Sequence, residues 1–161
     1  MVPDIIACAV TVIRDTLVFL DENYQPTRDI IHWLDARKCV FDDPFPLWKE
    51  AVFELIGMGK GTRIAYRTSK VNWVRQKQPK ARTKKIVCLP AYINYRMTGR
   101  LADTPASTIA HIPMDYKKKR WMKENDLTRC FFDVPQERLY ELIPSGEVLG
   151  CITKEAAALT G

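Results

Sequence analysis

The sequence predicts a mixed α/β fold, a sheet covered by helices, on three observations. β-Branched and small apolar residues run through Ile5 to Ile13 and again through Thr16 to Leu20. Apolar residues then recur at helical spacing at Trp48, Val52, Leu55 and Ile56, and from Ile86 onward strand-like and helix-like stretches alternate. A chain of 161 residues is long enough for one domain with a hydrophobic core, or for part of one.

The elements follow in order. Ile5 to Ile13 and Thr16 to Leu20 read as strands, with Asp21-Glu22-Asn23 as the turn after them. The Arg14-Asp15 pair between them is too short for a crossover helix, so they form one bent strand or a tight antiparallel hairpin. Gln25-Pro26-Thr27 leads into a third run, Ile30 to Leu34, which completes a small meander. Pro46 opens an amphipathic helix that stops at Gly57, and Met58 to Gly61 reads as a loop. Thr68-Ser69 cap a helix carrying Val71, Trp73 and Val74, which Pro79 ends. Ile86 to Leu89 reads as a short buried strand, and Tyr92 to Met97 as a helix closed by Gly99. Pro135 begins a helix through Leu139 and Leu142, Pro144-Ser145-Gly146 makes a turn, and Thr153 caps a last helix, Lys154 to Leu159.

Composition narrows the class of protein. The hydrophobic fraction of 47% is that of a folding chain, yet no stretch is long and apolar enough to span a bilayer. The opening residues have an apolar run with no basic segment before it and no small-residue cleavage site after it, so a cytoplasmic location is expected. Cys8, Cys39, Cys88, Cys130 and Cys151 are odd in number and widely spaced, which argues against a disulfide framework or a zinc site and for buried or half-buried thiols.

The net charge of +6 and a pI near 9.1 raise the possibility of a nucleic-acid or other acidic partner. Basic residues cluster from Lys60 to Lys85 and at Lys117-Lys118-Lys119-Arg120 with Lys123. Charge runs set between apolar anchors ordinarily just face water, so a non-catalytic basic binding module is the alternative reading and not the first.

Two constellations could carry chemistry. Arg14-Asp15 sits between apolar runs, where charged side chains are costly to bury unless paired or offered a polar ligand. A guanidinium donates to hydroxyl oxygens and a carboxylate accepts from hydroxyls, so the pair suits a polyol; an ion pair at a strand edge is the competing reading. Trp33-Leu34-Asp35-Ala36-Arg37 brings an aromatic face, a carboxylate and a guanidinium to a strand end, where α/β sheets tend to bind ligands; a core Trp followed by a solvated Asp-Arg pair would look the same. His32 and His111 are isolated in apolar settings and read as core residues. Gly57 to Thr62 has neither the spacing nor the preceding strand of a phosphate loop.

The order of these pieces resembles the FGGY family of carbohydrate kinases. Thr11 to Thr16 followed by Trp33-Leu34-Asp35-Ala36-Arg37 is similar to the family's Gln-Arg-Glu/Asp-Thr strand pair and Trp-x-Asp-x-Arg motif. Ser69 to Trp73 is similar to its Lys-x-x-Trp helix, Tyr92 to Gly99 to its Leu-x-x-x-Leu-Thr-Gly element, and Asp103 to Thr108 to its Asp-x-x-x-Ala-Ser strand. Leu142 to Gly150 and Thr153 to Gly161 resemble its Pro-x-Gly-Glu-x-x-Gly turn and Ala-x-x-x-Thr-Gly helix, so nearly the whole chain is covered. Ala9 and Ile13 stand where the family usually has Gly and Gln, and Ala65 where its glycerol-specific members carry an aromatic, which disfavours glycerol as substrate.

The resemblance implies part of a ribonuclease-H-like, actin-like ATPase domain whose relatives transfer the γ-phosphoryl of ATP to a sugar or polyol with Mg2+. It implies Arg14 and Asp15 as contacts to substrate hydroxyls, with Trp33, Asp35 and Arg37 near the same cleft. It also implies that residues 1–161 are a part of the N-terminal domain, without the Asp-x-Gly-Thr hairpin that meets the phosphates, the catalytic aspartate, or the C-terminal domain with its adenosine site. On that reading no catalytic residue lies in this chain, which would bind neither ATP nor Mg2+ tightly and would be inactive alone. A bare sheet edge is then expected to favour a homodimer.

Overall fold

The computed structural model describes residues 6–11, 13–42, 45–78, 82–132 and 134–160. At its centre is β1 (Leu17–Leu20), whose four residues are all buried. It pairs antiparallel with β2 (Lys85–Cys88), Leu17 opposite Cys88 and Leu20 opposite Lys85. On its other flank Leu17 and Ile31 exchange two backbone hydrogen bonds of 3.1 Å, and Leu20 bridges Pro26. A strand paired on both sides and covered on both faces reads as the unbroken apolar run Leu-Val-Phe-Leu.

Helices α1 (Leu47–Leu55), α2 (Gly59–Thr68) and α3 (Lys70–Lys77) follow, then α4 (Leu89–Thr98) directly after β2. Ser69 caps α3 as its residue type predicts, its Oγ accepting from the Asn72 N–H at 3.4 Å. Gly99 ends α4 at φ +76°, a conformation that strains any side chain. Two short ladders complete the sheet structure among the described residues: β3 (Ala102–Asp103) runs parallel to β6 (Glu141–Leu142), and β4 (Met114–Asp115) antiparallel to β5 (Arg120–Trp121). The last helix, α5 (Lys154–Thr160), begins where Thr153 Oγ1 accepts from the Ala156 N–H.

Two cores result. The larger gathers β1, β2, Val71 and Val74 of α3, Ile112, Val134 and Tyr140. The smaller is aromatic, with Phe45, Phe53, Tyr66 and Phe131 around Cys39. Fully buried Asn72 of α3, the helix that carries Val71 and Val74 of the larger core, reaches into the smaller one, its Nδ2 donating to the Tyr66 carbonyl at 3.1 Å and the Phe131 carbonyl at 2.8 Å.

Several expectations are corrected. Residues 6–11 and Ile13 are exposed or half-buried and irregular rather than a strand, since no neighbouring strand among the described residues offers them a ladder; Ile5 and Val12 lie outside the described residues. Of the run Ile30 to Leu34 only Ile31 pairs. The stretch read as a Met-Gly-Lys-Gly loop is the first turn of α2, whose Thr62 and Tyr66 are buried against the aromatic core. The helix expected from Pro135 through Leu142 is a single 3₁₀ turn, Gln136–Arg138, after which β6 joins β3. Pro79, expected to end α3, lies outside the described residues, and α3 stops at Lys77. Of the cysteines, Cys39 and Cys88 are buried and Cys130 half-buried, but Cys8 and Cys151 are exposed; all five are free. Among the described residues no helix is long and apolar enough to cross a membrane.

Candidate functional site

Asp15 stands at the end of β1, in a turn that gives it a φ of +52°, an uncommon conformation that aspartate tolerates better than most residues. Its backbone N–H donates to the Ile109 carbonyl at 2.7 Å, which fixes the turn. Three donors converge on its carboxylate. The Lys70 ammonium pairs with Oδ2, the His111 backbone N–H donates to Oδ1 at 3.0 Å, and the His111 Nδ1 lies 3.0 Å from Oδ2.

The sequence arranges this from three distant places. Lys70 is the first residue of α3, and its side chain is only 5% exposed. The Ser69 hydroxyl, besides capping α3, donates to the His111 carbonyl at 3.3 Å and so holds the His111 segment against the helix start. Burial pushes the Asp15 pKa up, but the hydrogen bonds from the His111 ring, Lys70 and the His111 N–H outweigh it, and the net shift is downward. Asp15 is therefore an ionised carboxylate at neutral pH, with a side chain 19% exposed.

Arg14 beside it is exposed, and among the described residues no ion pair or side-chain hydrogen bond holds its guanidinium. The Leu17–Ile31 bridge sets the 32–35 turn, closed by the Asp35 N–H on the His32 carbonyl at 3.0 Å, at the same end of β1. Trp33 is 49% exposed there, so it is not a core residue.

Asp35 and Arg37 satisfy each other. Arg37 Nε donates to both Asp35 oxygens at 2.8 Å and its terminal nitrogen adds a third contact, while the guanidinium lies 4.2 Å over the Trp73 ring of α3. These hydrogen bonds hold the Asp35 pKa down at about 2, and the Lys70 charge adds to the effect, so both motifs share one electrostatic neighbourhood at the start of α3. Arg14, Asp15 and Trp33 present an exposed guanidinium, a fixed carboxylate and an aromatic face; Asp35 and Arg37 are engaged with one another.

The contacts of Lys70 and His111 with Asp15 are not legible in the sequence. His111 stands 96 positions from Asp15, and its side chain is 41% exposed rather than in the core. His32 is likewise exposed. The basic run from Lys60 to Lys85 is partly absorbed by the fold: Lys70 is buried on Asp15, Arg63 approaches Glu50 and Glu54, Arg75 donates to the Tyr66 hydroxyl, and Lys85 donates to the Glu137 and Leu139 carbonyls. Among the described residues no group of three or more His, Cys, Asp or Glu side chains could hold a metal ion.

Residues 2–161 match the FGGY family of carbohydrate kinases, N-terminal domain. A xylulose kinase of Haemophilus influenzae is 28% identical over 155 residues, covering 90% of this chain and 30% of that protein. An uncharacterized sugar kinase of Escherichia coli, YgcE, is 32% identical over 75 residues, 47% of this chain and 15% of that protein. Among solved structures, the xylulose kinase from Rhodospirillum rubrum superposes with a TM-score of 0.64 at 22% identity, over 91% of this chain and 30% of that one. The chain thus spans less than a third of the length of each of these relatives. The likeness to the solved structure is one of fold, the actin-like, ribonuclease-H-like ATPase architecture expected from the sequence and here present in part.

Proposed function

Because the chain belongs to the FGGY family of carbohydrate kinases, we propose that it supplies part of the sugar- or polyol-binding side of an ATP-dependent kinase. Asp15 accepts hydrogen bonds from neighbouring substrate hydroxyls, Arg14 donates to their oxygens, and Trp33 offers a flat wall to the carbon skeleton. Asp35 and Arg37 position this wall by locking the turn that carries Trp33 onto Trp73. The observation that carries the proposal is the Asp15 carboxylate, ionised, partly exposed and fixed by Lys70 and His111 beside the exposed Arg14 guanidinium. A carboxylate already oriented by buried donors loses little freedom on accepting a hydroxyl.

The groups that position ATP, Mg2+ and the attacking hydroxyl lie, on this proposal, outside residues 1–161, since phosphoryl transfer needs all three held together. Xylulose, the substrate named for the similar kinases, is the first sugar to try, in a panel of pentoses, hexoses and polyols. In a polypeptide carrying the complete kinase, Arg14→Ala is expected to raise the sugar KM at least tenfold, about the loss of one charge-assisted hydrogen bond. Unchanged sugar kinetics in that variant would remove the assignment. The 161-residue chain alone is expected to release no ADP in the presence of sugar, ATP and Mg2+.

A further inference from the structure

A cavity lies between α1, the α2–α3 pair and the 3₁₀ turn Leu127–Phe131, and it shares no residue with the Asp15 cluster. Its volume is about 560 Å³, inside the range of roughly 300–1,000 Å³ typical of small-molecule sites. Lys49, Arg75 and Arg129 bring three cations to its wall, and Glu124 is the one carboxylate among the described lining residues. The half-buried Phe132 adds aromatic surface, while the ring of Tyr66 is buried in the aromatic core and its hydroxyl accepts from Arg75 at 2.7 Å.

Arg129 is the telling residue. It is 6% exposed, and it spends its terminal nitrogens on Glu124 and on the carbonyls of Phe132 and Val134, but its Nε has no hydrogen-bond partner. An unsatisfied N–H on a buried permanent cation leaves the Arg129 charge incompletely compensated beside the cavity. Glu124, its only carboxylate partner among the described residues, is 75% exposed and contributes a weak surface interaction. Lys49, half-buried and hydrogen-bonded to the Cys130 thiol next to Arg129, has among the described residues no carboxylate within ion-pair distance, its ammonium resting 5.5 Å from the Trp48 ring.

We propose that this cavity is a binding site for a phosphomonoester-type anion, held by Lys49 and Arg129 with the half-buried Phe132 beside its organic part. Arginine forks match phosphate oxygens in geometry, and a phosphate monoester carries about −1.5 to −2 charges at neutral pH, which suits a wall rich in cations. The proposal goes beyond sugar recognition and does not depend on it.

Inorganic phosphate is the probe. Isothermal titration of the chain at constant ionic strength, balanced with KCl, is expected to show saturable one-site binding. Lys49→Ala, a helix-compatible substitution checked for fold by circular dichroism, should weaken it about tenfold or more, the loss of one charge-assisted contact, and Lys49→Arg should restore it. Arg14→Ala, at the Asp15 turn and not among the residues lining the cavity, should leave it unchanged. Absence of saturation, an equal response to KCl alone, or equal binding by Lys49→Ala would overturn the proposal. So would a loss in Arg14→Ala matching that in Lys49→Ala, which would put the anion at the Asp15 turn. Neither sugar nor ATP enters the titration, so its failure and a failure of the sugar reading are separate results.

Discussion

Replacing Lys70 by Met removes the buried ammonium from Asp15 while keeping an unbranched apolar stem on α3. Breaking a buried ion pair by deleting one partner costs about 3–5 kcal/mol, because the other charge is left uncompensated. Here the Asp15 side chain is 19% exposed and keeps its two contacts to His111, so the expected loss is reduced to about 2–3 kcal/mol. With a urea dependence of about 1–3 kcal/mol per molar, the denaturation midpoint followed by circular dichroism should fall by roughly 1 M. The pH dependence has a definite sign. The folded pKa of Asp15 is depressed, so its contribution to stability is present above the unfolded aspartate pKa and is lost as pH falls through the folded value. The gap between wild type and Lys70→Met should therefore be full at neutral pH and narrow in acid. In a double-mutant cycle with Asp15→Asn, the two losses should fall short of adding, by about 1 kcal/mol or more. A loss below about 0.5 kcal/mol, or strict additivity, would refute the idea that Lys70 fixes the Asp15 carboxylate.

Asn72→Ala leaves the Tyr66 and Phe131 carbonyls without their common donor and should cost about 1–3 kcal/mol in chemical denaturation; a loss within error of zero would mean that the link between the two cores is dispensable. For Asp35, a carboxyl NMR titration should show a midpoint near 2 in the native protein. Arg37→Ala should move that midpoint up toward the ordinary aspartate range, and an unmoved midpoint would contradict the Arg37 account. Gly99→Ala meets only the Thr153 methyl at 3.9 Å, so its cost is backbone strain at positive φ, about 1–2 kcal/mol; a stabilised variant would show that the strain is relieved elsewhere.

What could be read in the sequence depended on whether a local rule decided the outcome. β1 and β2 were legible because strands buried on both faces must be apolar throughout, and α1, α3, α4 and α5 because their spacing and their punctuation by Gly57, Ser69, Gly99 and Thr153 agree. α2 was missed because Gly59 and Gly61 lower helix propensity, while the burial of Thr62 and Tyr66 that overrides it is tertiary. Residues 135–142 carry helix-compatible spacing but are drawn off after one turn by the parallel pairing of β6 with β3. The opening β-branched run shows the converse, strand propensity without a partner. Of the proposed site, Arg14, Asp15 and Trp33 are legible as polar and aromatic residues beside apolar runs. Lys70 and His111 reach Asp15 only through the packing of α3 and the Ile109–His111 segment onto the end of β1. A buried lysine gives no sign in sequence of the carboxylate it will meet.

The central claim, that the Arg14–Asp15 turn with Trp33 receives a sugar or polyol, is tested most directly by titrating the 161-residue chain with pentoses, hexoses and polyols, following heat and tryptophan fluorescence. The account predicts saturable binding of at least one member, weakened about tenfold or more by Arg14→Ala and insensitive to Lys49→Ala. Saturable binding that Arg14→Ala leaves untouched, or no binding to any member by a chain shown to be folded, would contradict it.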